Sequence, residues 1–141
     1  MGRVLAIDYG KKRTGIAVTD PLQIIANGLT TVPSKEVISF IKKYMVSEPV
    51  EAFVIGIPKT LMNQPSESMK YITPFLVDLA KHFPSIPLFK IDERFTSSIA
   101  HRAMIDGGMK KKDRQNKEIV DSISATLILQ SYMEKKSNNV L

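Results

Sequence analysis

The chain has 141 residues, 43% apolar and 24% charged, which fits one domain with a substantial core and excludes a disordered chain. It holds no cysteine and two histidines, so disulfides, thiolate zinc sites and histidine-rich metal cages are excluded. Its net charge of +6 favours polyanionic partners such as nucleic acid. No apolar run approaches the ~18 residues of a membrane span, and the N-terminus lacks a signal-peptide pattern, so a cytoplasmic protein without a membrane partner is expected.

Arg3 to Tyr9 and Thr14 to Thr19 read as strands joined in a hairpin by Gly10-Lys11-Lys12-Arg13. A third strand over Gly28 to Val32 completes a meander. Ser34 is placed to cap a helix from Lys35 to about Val46, with Val37, Ile38, Ile41 and Met45 on one face. Glu51 to Ile57 is a continuous apolar run, as expected of a strand buried on both faces. Pro58 to Pro65 reads as a loop, and Ser66 as the cap of a helix to about Phe83 that Pro74 should kink or shorten. Pro87 to Ile91 is the next strand, with Asp92-Glu93-Arg94 at its end. A helix from Thr96 to Ile105 stops at Gly107-Gly108, and a basic loop runs from Met109 to Lys117. The last helix spans about Lys117 to Lys135, and residues 137–141 read as a flexible tail on a single domain, 1–136. The order predicts an α/β fold: a mixed sheet flanked by helices on both faces.

Three acids fall at informative places. Asp8 ends a strand that is apolar on both faces; it either starts the turn before Gly10 or is a carboxylate held in a site. Asp92 and Glu93 follow another buried strand and alternate between faces, so one of them shares a site with Asp8, and Glu93 is preferred. Asp121 lies near the start of the last helix, at the border of the face marked by Val120, Ile123, Leu127 and Ile128; favourable interaction with the helix dipole is the simpler account of it. Together the three mean more. Sites in open α/β sheets form at the C-terminal ends of parallel strands. Carboxylates clustered there, without thiolate or imidazole, suit a hard cation such as Mg²⁺ or Mn²⁺.

The stretches "AIDYGKKRTGIAVTD", "VIGIPKT", "DERFTS" and "VDSISATLILQSYM" occur in the order and spacing of the YqgF/RuvX family, and nearly the whole chain resembles it. That family is similar to the RuvC-type Holliday-junction resolvases and has the RNase H-like fold. The resemblance implies a five-stranded mixed sheet, a three-strand antiparallel meander plus two parallel strands. It implies phosphodiester hydrolysis in maturation of the 5′ end of precursor 16S ribosomal RNA. Asp8, Glu93 and Asp121 take the positions of the acidic triad, holding one Mg²⁺ or Mn²⁺ ion, or two roughly 3.5–4 Å apart. The chain departs from the family pattern in Lys59 to Gln64, which lacks a glycine, and at Ile99, where an acid is common.

With that triad, two basic groups acquire a role as phosphate contacts: Lys11, Lys12 and Arg13 beyond Asp8, and Lys110, Lys111, Lys112, Arg114 and Lys117 before Asp121. Arg94 either steadies a phosphate or pairs with Asp92. Tyr9 either packs at the sheet edge or stacks on a base. Three rivals are a non-catalytic RNA-binding assembly factor, a Holliday-junction DNA nuclease, and half of an actin-like ATPase, for which the chain is too short. A monomer and a homodimer are both compatible.

Overall fold

β-branched and apolar residues dominate Arg3–Tyr9, Arg13–Thr19 and Ala26–Pro33, and these form strands β1, β2 and β3. They belong to a computed structural model that describes residues 2–57, 69–92 and 117–137, including the side chains of all but 92 and 117–122. Next come a 3₁₀ turn at Ser34–Glu36, helix α1 at Val37–Ser47, and strand β4 at Val50–Ile57. Helix α2 spans Met69–His82, strand β5 Leu88–Asp92, and helix α3 Lys117–Ser137.

The sheet order is β3-β2-β1-β4-β5. β1, β2 and β3 form the antiparallel meander, while β4 pairs parallel with β1 and β5 parallel with β4. This is the five-stranded mixed arrangement expected of the RNase H-like class, and the strand read as central, β1, is the middle one. Each strand sends alternate residues to opposite faces. One face carries Leu5, Ile7, Ile16, Val18, Phe53, Ile55 and Ile57 and packs on Val37 and Ile41 of α1 and Ile72, Phe75 and Leu79 of α2. The other carries Val4, Ala6, Ala17, Ala52, Val54 and Ile91 and packs on Ala125, Ile128, Leu129 and Tyr132 of α3.

Helix α3 has a readable direction. Lys136 Nζ donates to Gln23 Oε1 at 3.2 Å, and Gln23 Nε2 donates to the Gly2 carbonyl at 2.9 Å, so its last turn stands at the start of β1. From there its backbone runs back along the sheet toward the end of β1, with Tyr132 against Phe89 of β5 at 5.2 Å between centroids.

Several boundaries differ from expectation. β3 begins at Ala26, two residues early, and runs to Pro33. Ser34 caps no helix: it opens the 3₁₀ turn, and α1 starts at Val37 with no side-chain cap. The reason is that the Ser34 hydroxyl donates to the Gly10 carbonyl instead. α2 continues through Pro74, an exposed position, so the helix is not cut short there. β5 reaches Asp92, and α3 extends to Ser137, two residues beyond the expected helix end at Lys135. The loop at Pro58 to Pro65, Ser66, the helix from Thr96, Gly107-Gly108 and nearly all of the basic loop lie outside the described residues.

Candidate active site

β1, β4 and β5 all run the same way, so their C-terminal ends share one edge of the sheet. Asp8, the last residue but one of β1, stands at that edge and is half-buried. By strand alternation it follows Val4 and Ala6 onto the α3 face. Its antiparallel partner on β2 is Gly15. On β4 the register Ile7↔Ile55 brings Gly56 alongside, and Gly56 pairs in turn with Ile91. By the same alternation both glycines lie on the face of Asp8. The carboxylate is therefore bracketed across two strands by residues that add no side chain beside it. A glycine within a strand marks close approach by another group.

From Lys136, near Gly2, back to Asp121 is ~22 Å of helix, and from Gly2 to Asp8 is ~20 Å of strand, so α3 is long enough to span the sheet from the start of β1 to this edge. In the sequence Asp121 lies four residues before Ala125, which packs on the sheet. Glu93, Arg94, Lys110, Lys111, Lys112 and Arg114 lie outside the described residues, as does the Asp121 side chain. Among the described residues, no three His, Cys, Asp or Glu side chains come together. The one described member of the expected set, Asp8, is a hard oxygen donor of the kind Mg²⁺ and Mn²⁺ take.

The basic turn begins two residues beyond Asp8. Lys11 and Lys12 are exposed, and Arg13 is half-buried at the start of β2. The turn is tightly closed: a Cβ on Gly10 would lie 2.5 Å from the Arg13 carbonyl oxygen, so only glycine fits. Tyr9 faces the other side of the sheet. Its ring stacks on Phe75 with centroids 4.2 Å apart, near Tyr71 at 6.2 Å. Burial, then the charge of Asp78 and the neighbouring Tyr71, pushes its hydroxyl above the usual range. Tyr9 is thus edge packing, the first of its two readings. Asp20, which follows β2, accepts N–H bonds from Ile24 at 2.7 Å, Ile25 at 2.8 Å and Leu22 at 3.2 Å. It shapes the β2–β3 turn, at the opposite end of β2 from the basic turn.

The sequence does not single out Gly15, Gly56 or Thr14, and it marks Ser34 only as a helix cap. A glycine inside an apolar run, as in "RTGIAV" and "VIGIP", was the available signal for the first two. Nothing local marks the contacts of Ser34, whose partners are twenty or more positions away.

The RuvX family, described as "Holliday junction resolvase", matches residues 2–135. A protein of Phocaeicola vulgatus called "Putative pre-16S rRNA nuclease" is 64% identical over 136 residues, covering 96% of this chain and 98% of its own. One of Bacteroides thetaiotaomicron with the same name is 60% identical, covering 96% and 99%. Among solved structures, Thermus thermophilus RuvC in complex with a Holliday junction substrate aligns with a TM-score of 0.59 at 15% identity, over 99% of this chain and 98% of that one. A fowlpox virus resolvase bound to Holliday junction DNA aligns at 0.55 and 8% identity, over 95% and 98%. These two likenesses are of fold, and the fold is RNase H-like. No described helix is long and apolar enough to cross a membrane. The chain belongs to the RuvX family, a family of nucleases and hence of hydrolases acting on ester bonds.

Proposed function

We propose that the chain is a divalent-cation-dependent endonuclease that hydrolyses phosphodiester bonds in precursor 16S ribosomal RNA, in maturation of its 5′ end, in the cytoplasm. Residues 1–136 act as one nuclease domain, as a monomer or homodimer. The observation that carries the reading is the position of Asp8: a half-buried carboxylate at the C-terminal edge of the parallel strands, bracketed by Gly15 and Gly56, on the face that α3 covers. In the sequence Glu93 comes two residues after Ile91, and Ile91 belongs to the α3 face. The name carried by relatives that are 64% and 60% identical supports ribosomal RNA as substrate.

In this reading Asp8, Glu93 and Asp121 are the catalytic carboxylates and would hold one or two Mg²⁺ or Mn²⁺ ions. Such a cation supplies Lewis-acid stabilisation of charge on the phosphate oxygens. The protein's own part is placement and charge. The glycines beside Asp8 admit the scissile phosphate to the carboxylate edge. Lys11, Lys12 and Arg13 hold the flanking phosphates on one side, and Lys110, Lys111, Lys112 and Arg114 on the other, with Arg94 near the centre. Fixing the backbone in line for attack supplies much of the rate.

The family's description favours a second substrate, junction DNA. A cleavage panel separates the two: labelled RNA spanning the 5′ leader of precursor 16S ribosomal RNA, the same sequence as DNA, and a four-way DNA junction, each with Mg²⁺ and Mn²⁺. Site-specific cutting of the leader RNA is expected. Cutting of the junction alone would make the protein a resolvase. Tight RNA binding without cutting, unchanged in Asp8→Asn, would make it an assembly factor.

A further inference from the structure

We propose that Ser34, assisted by Thr14, is a positioning residue that sets the basic turn Gly10–Arg13 in the geometry needed to hold substrate phosphates; this rests on the nucleic-acid reading above. Ser34 is 7% exposed and Thr14 fully buried. The Ser34 N–H donates to the Lys12 carbonyl at 3.0 Å, and its hydroxyl donates to the Gly10 carbonyl. A serine hydroxyl has one proton. With that proton given to Gly10, the 2.8 Å contact between Thr14 Oγ1 and Ser34 Oγ has threonine as donor. A chain of bonds therefore runs Thr14 to Ser34 to Gly10, and one residue ties down two carbonyls of the turn.

The arrangement has consequences for a polyanion. Carbonyl oxygens at the tip of a turn repel phosphate, and here those of Gly10 and Lys12 are engaged by Ser34. Lys11 and Lys12 remain exposed. Thr14 alternates with Ile16 and Val18 onto the α1/α2 face, whereas Asp8 lies on the α3 face. Ser34 therefore grips the turn from behind and leaves the face of Asp8 clear. A capping role would explain a serine here more simply, but the N-cap position of α1 is Glu36, and the Ser34 hydroxyl goes to the Gly10 carbonyl.

The test is a mutant cycle read by binding of labelled 5′-leader RNA across a salt series. Ser34→Ala is expected to weaken binding about fivefold, the scale of one lost hydrogen bond. It should also flatten the plot of log Kd against log salt, since fewer counterions are released. The pair Lys11→Ala/Lys12→Ala should weaken binding more. Adding Ser34→Ala to that pair should cost nothing further, because the serine acts through those lysines. Ser34→Thr, which keeps the hydroxyl, should restore affinity and slope. Should Ser34→Ala yield no folded protein, Thr14→Val carries the same cycle, with a smaller loss and the same non-additivity. Parental binding by Ser34→Ala while the lysine pair is impaired overturns this inference alone. So does an additive loss, which marks a merely structural serine. Parental binding by the lysine pair removes the turn from the binding surface, and the nucleic-acid role of the turn falls with it.

Discussion

The two faces of the sheet are built from different residues. The α1/α2 face is bulky, with Leu5, Ile7, Ile16, Phe53 and Ile55 meeting Ile41, Ile72, Phe75 and Leu79. The ring of Phe53 meets that of Phe83 edge-on at 5.4 Å, and Tyr9 stacks on Phe75. On the sheet side the α3 face is smaller: Ala6, Ala17 and Ala52 alternate with Val4, Val54 and Ile91 beneath Ala125, Ile128, Leu129 and Tyr132, and its strands continue to Gly15, Asp8 and Gly56. Large side chains maximise buried apolar area, and small ones let a helix approach and leave space at its end. In the proposed function the bulky face serves stability and the smaller face serves the site. The basic turn joins them, anchored from the bulky side while following the carboxylate of the other.

Substitutions break this division in opposite ways. Phe53→Ala, on the bulky face, should lower unfolding free energy by about 3–5 kcal/mol. Its folded molecules should still cut at the parental rate, as measured at saturating substrate and corrected for the folded fraction by denaturant titration. Ala6→Leu, on the small face and two residues before Asp8, should destabilise less, by about 1–3 kcal/mol. It should nevertheless lower the cleavage rate of folded molecules, because the added volume displaces α3 at the end where Asp121 lies. Equal effects of both variants on rate per folded molecule would dissolve the distinction.

A smaller effect belongs to neither face. The N–H of Ile25, then those of Ile24 and Leu22, hold the Asp20 carboxyl below the usual carboxylate range. A lowered folded pKa gives stability that is complete above the unfolded value of ~3.9 and is lost as pH falls through the folded value. Asp20→Ala should therefore have a slightly lower Tm than the parent at pH 7, and the gap should close as the solution is acidified below pH ~4. A gap independent of pH would remove the charge from the account.

Much of this was legible in the sequence, for local reasons. Continuous apolar runs marked β1 and β4 as central, and the spacing of Val37 and Ile41 marked the buried stripe of α1. The carboxylate at the end of β1 was legible because a strand apolar on both faces makes a terminal Asp conspicuous. What was not legible depends on register between distant segments. That Gly15 and Gly56 bracket Asp8 follows from two ladders, one of them joining β1 to a strand more than forty residues away. Ser34 resembled a cap because Pro33-Ser34 precedes an amphipathic stretch. Its hydroxyl is instead drawn to a turn that chain tracing alone does not bring near. Pro74 suggested a kinked or shortened helix, and α2 runs on through it without being cut short.

The central claim is that Asp8 is a working carboxylate and not a turn-starting residue. The direct measurement is Mg²⁺-dependent cleavage of leader RNA by Asp8→Asn, beside a thermal melt and a binding titration of the same protein. Cleavage should fall at least ~10²-fold, the scale of removing one preorganised charged group, while Tm and RNA affinity stay near those of the parent. Parental cleavage by folded Asp8→Asn would contradict the account.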